Sequence, residues 1–173
     1  MGHLSGLPKM TAPIKHGRLR RWVALLARWI LGAVFLYLGA NKALHPIEFL
    51  KVLRQYDITD RSGLLNGIAA FLPWLEIFTA GALLSGRAVR GSAWVCLGML
   101  LPFTGAILNR ALALQAAQAI PFCAIRFDCG CGTGEVVICH KLLENGLLIL
   151  LSLLLLKRGG PNPAPQLHPA PAA

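Results

Sequence analysis

Four long apolar runs constrain this chain more than any other feature of its sequence. The hydrocarbon core of a bilayer is about 30 Å thick, and a helix needs about 20 apolar residues to cross it. The runs meet or approach that length and cover residues 22–44, 64–85, 93–114 and 141–156. The pattern predicts an all-α fold, a bundle of four transmembrane helices that forms one membrane domain over residues 22–157.

The segments that flank the runs are polar or rich in proline. Residues 1–21 are basic and predicted to be cytoplasmic, and residues 158–173 are predicted to be a disordered tail. The first run also resembles a signal peptide, but it is longer than the usual apolar region of about 7–15 residues, so we expect it to be retained. His45-Pro46 ends the first helix. The roughly helical spacing of apolar residues after it predicts a short helix in the membrane interface.

The composition is typical of a membrane protein. Hydrophobic residues make up 55% of the 173 residues and charged residues 14%, whereas about a quarter of the residues of soluble domains are charged. The net charge of +10 comes largely from basic residues at the ends of apolar runs, where they set topology and contact phospholipid headgroups. No basic patch with interleaved aromatic residues occurs in the sequence, so the lipid bilayer is the expected partner and nucleic acid is not.

The distribution of basic residues predicts that both termini lie in the cytoplasm. With the N-terminus inside, nine basic residues flank the spans on the inside and seven on the outside. The dense N-terminal cluster decides the prediction, because the first helix usually sets the orientation. The loop over residues 115–140 then lies outside the bacterial inner membrane, in the periplasm, where disulfides form.

Four of the five cysteines lie in this loop, and several interpretations of them stay open. Cys129 and Cys131 are one residue apart, and a disulfide across so small a loop suits exchange with a partner because it is readily reduced. Cys123 and Cys139 are candidates for a second pair. The alternatives are structural disulfides, inert thiols and a metal site, although the spacing lacks the Cys-x2-4-Cys knuckle of structural zinc sites. Cys96, inside the third run, is expected only to fill space.

No other motif in the sequence indicates a catalytic centre or a cofactor. The glycines around Cys131 match neither a dinucleotide-binding loop nor a P-loop, and no strand is predicted before them. A catalytic serine–histidine–aspartate set and a carboxylate pair are also missing from the sequence. Binding of a quinone among the helices is suggested only by analogy with four-helix thiol oxidoreductases, since no motif in the sequence supports it.

Arg28 and Glu76 are charged residues inside the first and second apolar runs. Intramembrane charges are costly and normally have partners. The helical rise places Arg28 about 9 Å and Glu76 about 12 Å from the inner side of the membrane. These similar depths predict that the two residues pair between the first two transmembrane helices. The alternative is that Arg28 extends to the inner headgroups.

Three motifs in this order resemble the DoxX/MauE superfamily of small four-helix membrane proteins. The first has the pattern Arg-x3-Gly-x2-Phe-x3-Gly-x2-Lys-x3-Pro-x2-Phe and is matched here by Arg28, Gly32, Phe35, Gly39, Lys42, Pro46 and Phe49. The second belongs to a proline–glutamate helix and is matched by Pro73, Glu76 and Gly81. The third resembles the MauE-like branch, in which a Cys-x-Cys loop precedes a last helix that opens on a charged residue and asparagine, here Glu144-Asn145.

The resemblance implies a role in redox maturation. MauE is associated with methylamine metabolism and with maturation of the disulfide-rich small subunit of periplasmic methylamine dehydrogenase. We therefore expect a helper of disulfide formation, rather than a free-standing enzyme, with Cys129 and Cys131 as its redox pair. The alternative is a non-catalytic DoxX-like subunit that assembles with another membrane protein. The family's loop usually has an aromatic residue after the second cysteine, whereas Gly132 follows Cys131 here, so a partner surface that uses that side chain is not expected.

Overall fold

A computed structural model describes residues 14–56, 61–128 and 134–158. The elements in chain order are α1 (Ile14–Leu44), α2 (Pro46–Gln55), α3 (Ser62–Ser85), α4 (Val89–Gln118), a 3-10 turn (Phe122–Ala124), β1 (Arg126–Asp128), β2 (Glu135–Val137) and α5 (Ile138–Arg158). Four of the helices, α1, α3, α4 and α5, are long and apolar enough to cross a membrane. The predicted four-helix membrane bundle is therefore confirmed.

The connections between the long helices alternate between two ends of the bundle. We call one the hairpin end, because it carries α2 and the antiparallel β1–β2 hairpin. The other is the turn end, where only three residues connect α3 to α4. Gly86 and Ala88 in this turn have positive φ angles of 75° and 49°. Glycine adopts this conformation without steric cost, whereas alanine does so only under strain.

Glycines on α1 allow a close approach to α3. A Cβ on Gly32 would lie 2.8 Å from the side chain of Leu84, and a Cβ on Gly39 would lie 2.9 Å from both the Cβ of Glu76 and the carbonyl oxygen of Pro73. These distances are shorter than van der Waals contact, so the interface requires residues without a Cβ. Because Gly32 and Gly39 are two helical turns apart, they share one face of α1 and fix its antiparallel register against α3.

The interior of the bundle is an apolar cluster in which all four long helices take part. Its fully buried members include Leu31, Leu83 and Cys96, which agrees with the prediction that Cys96 fills space. Large apolar side chains on the outside, such as Phe71 and Trp94, are 78% and 64% exposed. An apolar exterior of this kind is what a surrounding bilayer requires.

The short helix α2 lies where the sequence predicts it, directly after the His45-Pro46 break. Proline is favourable at the first position of a helix, because its missing N–H has no partner to lose there. One face of α2 is buried against the bundle: Phe49 packs with Leu65 and Ala69, while Val52 packs with residues of α4 and α5. This amphipathic helix therefore covers the hairpin end of the bundle.

The cysteine loop is shorter and more ordered than the sequence predicts. α4 continues to Gln118 and α5 begins at Ile138, so both edges of the predicted 115–140 loop are helical. A strand, β1, does precede the glycines, contrary to the expectation. With only three residues it has no periodicity to recognise, and it forms because Phe127 and Val136 pair across the hairpin and pack against the cluster around Ile125. Residues 1–13 and 159–173 lie outside the described residues, so the predictions for them stay predictions.

We predict that Gly39→Ala destabilises the bundle by about 1–3 kcal/mol, because the new methyl group must push α1 away from α3. The measurement is the free energy of unfolding of the purified protein in mixed micelles with increasing sodium dodecyl sulfate. Gly81→Ala on α3 is the matched control, because a Cβ there meets nothing within 4 Å. Equal effects of the two substitutions would show that close packing at Gly39 does not set the register.

Candidate functional site

A buried ion pair in the interior of the bundle joins α1 to α3. Nζ of Lys42 donates a hydrogen bond to Oε1 of Glu76 over 2.5 Å, and each residue is only 5% exposed. The ring centroids of Phe49 and Phe103 lie 5.4 and 5.8 Å from the same Nζ atom, within the range of cation–π attraction. The ammonium group therefore has partners on α2, α3 and α4, and it ties the short helix α2 to the bundle.

The predicted partner of Glu76 was wrong: its cation is Lys42 and not Arg28. The guanidinium group of Arg28 lies at the turn end, where a Cβ on Gly86 would be 2.5 Å from Nη1. Gly86 is ten residues beyond Glu76, which corresponds to about 15 Å along the helix. The estimate of depth assumed that each apolar run begins at the membrane boundary. The close contacts of Gly32 and Gly39 with α3 set a different register, in which Arg28 is level with the end of α3.

Lys42 reaches Glu76 because side chains on a helix point towards its N-terminus. Gly39 faces Glu76 directly, and Lys42 lies one turn closer to the hairpin end. Its long side chain runs back along α1 by about that turn. Lys42 is one of the seven basic residues predicted to lie outside, and its ion pair was not predicted, although its helical spacing from Gly39 indicates the face of α1 on which it lies.

A surface cleft and a buried cavity meet at Lys42. The cleft opens between α2 and the end of β1, and His45, Glu48 and Asp128 are among its lining residues. The cavity lies deeper, between the long helices, and is lined by Glu76 together with Lys141, Asn145 and apolar side chains. Oε2 of Glu76 is buried and has no hydrogen-bond partner among the described residues. The ion pair thus lies between a surface cleft and a largely apolar cavity among the long helices.

Polar residues at the start of α5 contribute to the same cavity. Nζ of the buried Lys141 donates to Oε2 of Glu144 over 3.0 Å, and Nδ2 of Asn145 donates to Oγ1 of Thr104 over 3.1 Å. The hydroxyl of Thr104 in turn donates to the carbonyl oxygen of Leu100. The Glu144-Asn145 motif therefore neutralises a buried lysine and fastens α5 to α4. Neither contact was predicted from the sequence.

A disulfide joins Cys123 in the 3-10 turn to Cys139 in the first turn of α5, with 5.2 Å between their Cα atoms. The N–H of Ile138 also donates to the carbonyl oxygen of Ile125 over 3.1 Å. The disulfide joins residues 16 positions apart in the chain, and a disulfide that closes a loop of this length stabilises a fold by about 3 kcal/mol in the chain-entropy model. The side chain of Cys123 is exposed and that of Cys139 partly buried, so the bond is accessible from outside the bundle. Their use as a redox pair stays a prediction.

Cys129 and Cys131 lie outside the described residues, in the connection between β1 and β2. The strands that flank this connection are paired, with Asp128 opposite Glu135, and Asp128 also lines the cleft that reaches Lys42. With Cys123 bonded to Cys139 and Cys96 buried in the apolar core, these two are the remaining cysteines of the chain. In residues 14–56, 61–128 and 134–158, no group of three or more metal-ligating side chains is assembled.

A known protein family matches the part of the chain that forms this architecture. A family model described as methylamine utilisation protein MauE matches residues 20–158. The chain belongs to the MauE family. The match includes α3, α4, α5, most of α1 and the cysteine-bearing hairpin, so membership of the MauE family confirms the MauE part of the resemblance inferred from the motifs. No curated protein and no solved structure matches the chain. With its four apolar helices, this MauE-family member is a multi-pass membrane protein.

We predict that Glu76→Gln destabilises this MauE-family protein by about 3–5 kcal/mol, because it leaves the buried ammonium group of Lys42 without its carboxylate. The double variant Lys42→Met with Glu76→Gln is expected to recover part of that loss, since no charge remains. The measurement is a double-mutant cycle of unfolding free energies in micelles. The matched cycle with Arg28→Gln should be additive, because Arg28 does not contact Glu76. Additive losses in the Lys42 cycle would contradict the ion pair.

Proposed function

We propose that this protein assists disulfide formation in a periplasmic partner protein, with Cys129 and Cys131 as the exchanging pair. The observation that carries the proposal is the Cys123–Cys139 disulfide. It anchors both strands of the hairpin to the membrane bundle, and it engages the two other cysteines of the loop, while Cys96 is buried in the apolar core. A Cys-x-Cys pair in the connection of an anchored hairpin is suited to exchange with another protein.

The exchange needs no group beyond the two proteins. A thiolate of the partner attacks one sulfur of the Cys129–Cys131 disulfide, and the other sulfur leaves as a thiolate. The second partner thiol then attacks the mixed disulfide, which forms the partner's disulfide and leaves both cysteines reduced. The partner loses two electrons and two protons, and the cysteine pair gains them. The Cys123–Cys139 bond is proposed as the second pair: the Cys129 and Cys131 thiols are reoxidised by the same exchange, and Cys123 and Cys139 become thiols. A disulfide-bonded oxidant protein outside the membrane must then reoxidise Cys123 and Cys139 and be reduced in turn before the next turnover.

We propose that the partner is the small subunit of periplasmic methylamine dehydrogenase, in a bacterium that metabolises methylamine. The family description, methylamine utilisation protein, supports this choice. A disulfide-rich subunit matured outside the inner membrane requires an oxidising helper on that side. The hairpin end, which carries four of the five cysteines, is therefore proposed to face the periplasm.

A non-catalytic assembly subunit is the second candidate function, and a feature of α3 favours it. Phe71, Trp74, Leu75 and Phe78 recur at helical spacing along α3 and are between 45% and 78% exposed. An aromatic stripe of this kind presents a surface to a helix of another membrane protein as well as to lipid. In this alternative the disulfides only stabilise the hairpin end.

The orientation predicts the behaviour of two full-length fusions. Green fluorescent protein attached after Ala173 should fluoresce, and alkaline phosphatase at the same position should be inactive, because the C-terminus lies in the cytoplasm. The measurement is fluorescence and phosphatase activity in whole cells at equal expression. An active phosphatase would put the hairpin end in the cytoplasm, and the redox proposal would be abandoned, since disulfides do not persist there.

The redox pair predicts that one single variant traps the partner. Cys129→Ser or Cys131→Ser leaves one thiol of the pair, which attacks a disulfide of the partner by the reverse of the exchange and releases one partner thiolate. The neighbouring cysteine that would release the resulting mixed disulfide is missing, so the mixed disulfide should accumulate. Cells are quenched with acid, thiols are alkylated, and the protein is separated without reductant. We expect a larger, reductant-sensitive band in one of the two variants and none in the double variant, together with loss of partner maturation in all three.

Cys96→Ala is the control for loss of a cysteine without redox function, and it should leave maturation intact. The double variant Cys123→Ser with Cys139→Ser tests the second pair, because it should slow reoxidation of Cys129 and Cys131 after a pulse of reductant. If both single variants at 129 and 131 accumulate normally and the partner matures normally, the assembly function replaces the redox function.

A further inference from the structure

The fold separates the charges of the chain between its two ends. Of the basic residues that the structure describes, nine belong to the segments at the turn end, and none of the described aspartates or glutamates does. The other seven described basic residues and the five described acidic residues belong to the hairpin end or to the buried Lys42–Glu76 pair. The described part of the turn end is therefore strongly positive, and no carboxylate side chain within that part neutralises it.

Among the turn-end cations whose side chains the structure describes, Arg28 is the one that packs against the bundle. Its guanidinium group lies against Gly86, where any larger residue would collide with it, since a Cβ would be 2.5 Å from Nη1. Its Nε atom is buried and has no hydrogen-bond partner among the described residues. A fixed, half-buried guanidinium group without a carboxylate needs an anion from outside the chain, because an isolated charge in a low-dielectric surrounding is costly.

The surroundings of Arg28 combine further positive charge with apolar surface. Arg87 follows Gly86 in the turn and is exposed, and Arg21 lies two helical turns before Arg28 on the same face of α1. Trp29 and Trp94 flank this end and are 55% and 64% exposed. Exposed tryptophans at the end of a transmembrane helix mark the level of the headgroups. Arg28, level with the α3–α4 turn, therefore lies where the phosphates of a bilayer are found.

We propose that the turn end binds the headgroup of an anionic phospholipid, with Arg28 and Arg87 as ligands of its phosphate. Guanidinium groups bind phosphate through two parallel hydrogen bonds, and the exposed apolar side chains beside them can pack against the acyl chains. A lipid satisfies both the charge and the apolar surface, whereas a soluble phosphate satisfies only the charge. The site is independent of the redox proposal, because it lies at the other end of the bundle.

The test is lipid binding to the full-length protein in neutral detergent micelles. Phosphatidylglycerol or phosphatidylcholine with brominated acyl chains is titrated into the micelles, and quenching of tryptophan fluorescence reports binding. We expect phosphatidylglycerol to bind more tightly than phosphatidylcholine. Arg28→Gln and Arg87→Gln should each weaken it about fivefold, because one basic residue contributes about 1 kcal/mol to binding of anionic lipid. Arg54→Gln, an exposed arginine of α2 at the hairpin end, is the matched control and should change nothing.

Three results would overturn the proposal. They are equal binding of the two lipids, an equal loss in the Arg54→Gln control, and full displacement of phosphatidylglycerol by inorganic phosphate, which would indicate a site for a soluble anion. Thermal unfolding in neutral micelles shows whether each variant is folded. If Arg28→Gln is unfolded, Arg28→Lys and the exposed Arg87→Gln decide the test, because both are expected to fold and to bind the lipid more weakly.

Discussion

The close contact between α1 and α3 is the constraint on which the rest of the structure depends. Gly32 and Gly39 allow α1 to approach α3 closely in the register observed, and a Cβ at either position would collide with α3. That register brings Lys42 to Glu76 in the interior and Arg28 to Gly86 at the turn end. The packing of α1 against α3 thus fixes the depth of both the buried ion pair and Arg28, because the depth of one residue in a helix determines the depth of every other.

The two ends of the bundle have different chemistry as a result. The hairpin end has charges of both signs, an accessible disulfide and a cleft that leads to Lys42, which are the features expected of a surface that meets another protein. The described residues of the turn end include basic residues and no acidic one, which suits a membrane surface with anionic lipids. Between them, the Lys42–Glu76 pair and the contacts of Lys141 and Asn145 on α5 give the buried lysines a carboxylate partner inside the membrane domain.

The candidate site was only partly predictable. The length of the apolar runs predicted the long helices, proline predicted the break at His45-Pro46, and the apolar surroundings of Cys96 predicted its space-filling role, because each depends only on local sequence. The partner of Glu76 was not predictable in the same way. The depths of Arg28 and Glu76 were predicted from the boundaries of the apolar runs. In the structure, these depths depend on the contacts that the glycines of α1 make with α3. An intramembrane charge therefore signalled that a partner exists without indicating which one.

The sequence by itself determined the class of the protein: four apolar runs require four membrane helices, and three motifs indicate the MauE family. Tertiary structure decided which side chains meet. The β1–β2 hairpin, the Cys123–Cys139 bond and the Lys42–Glu76 pair each join residues that are distant in the chain or too few to form a pattern. The hydrophobic pattern of a segment indicates which of its residues face water, lipid or protein. Contacts between segments depend also on the shape of the side chains and on the register of the helices, which are set only when the bundle packs.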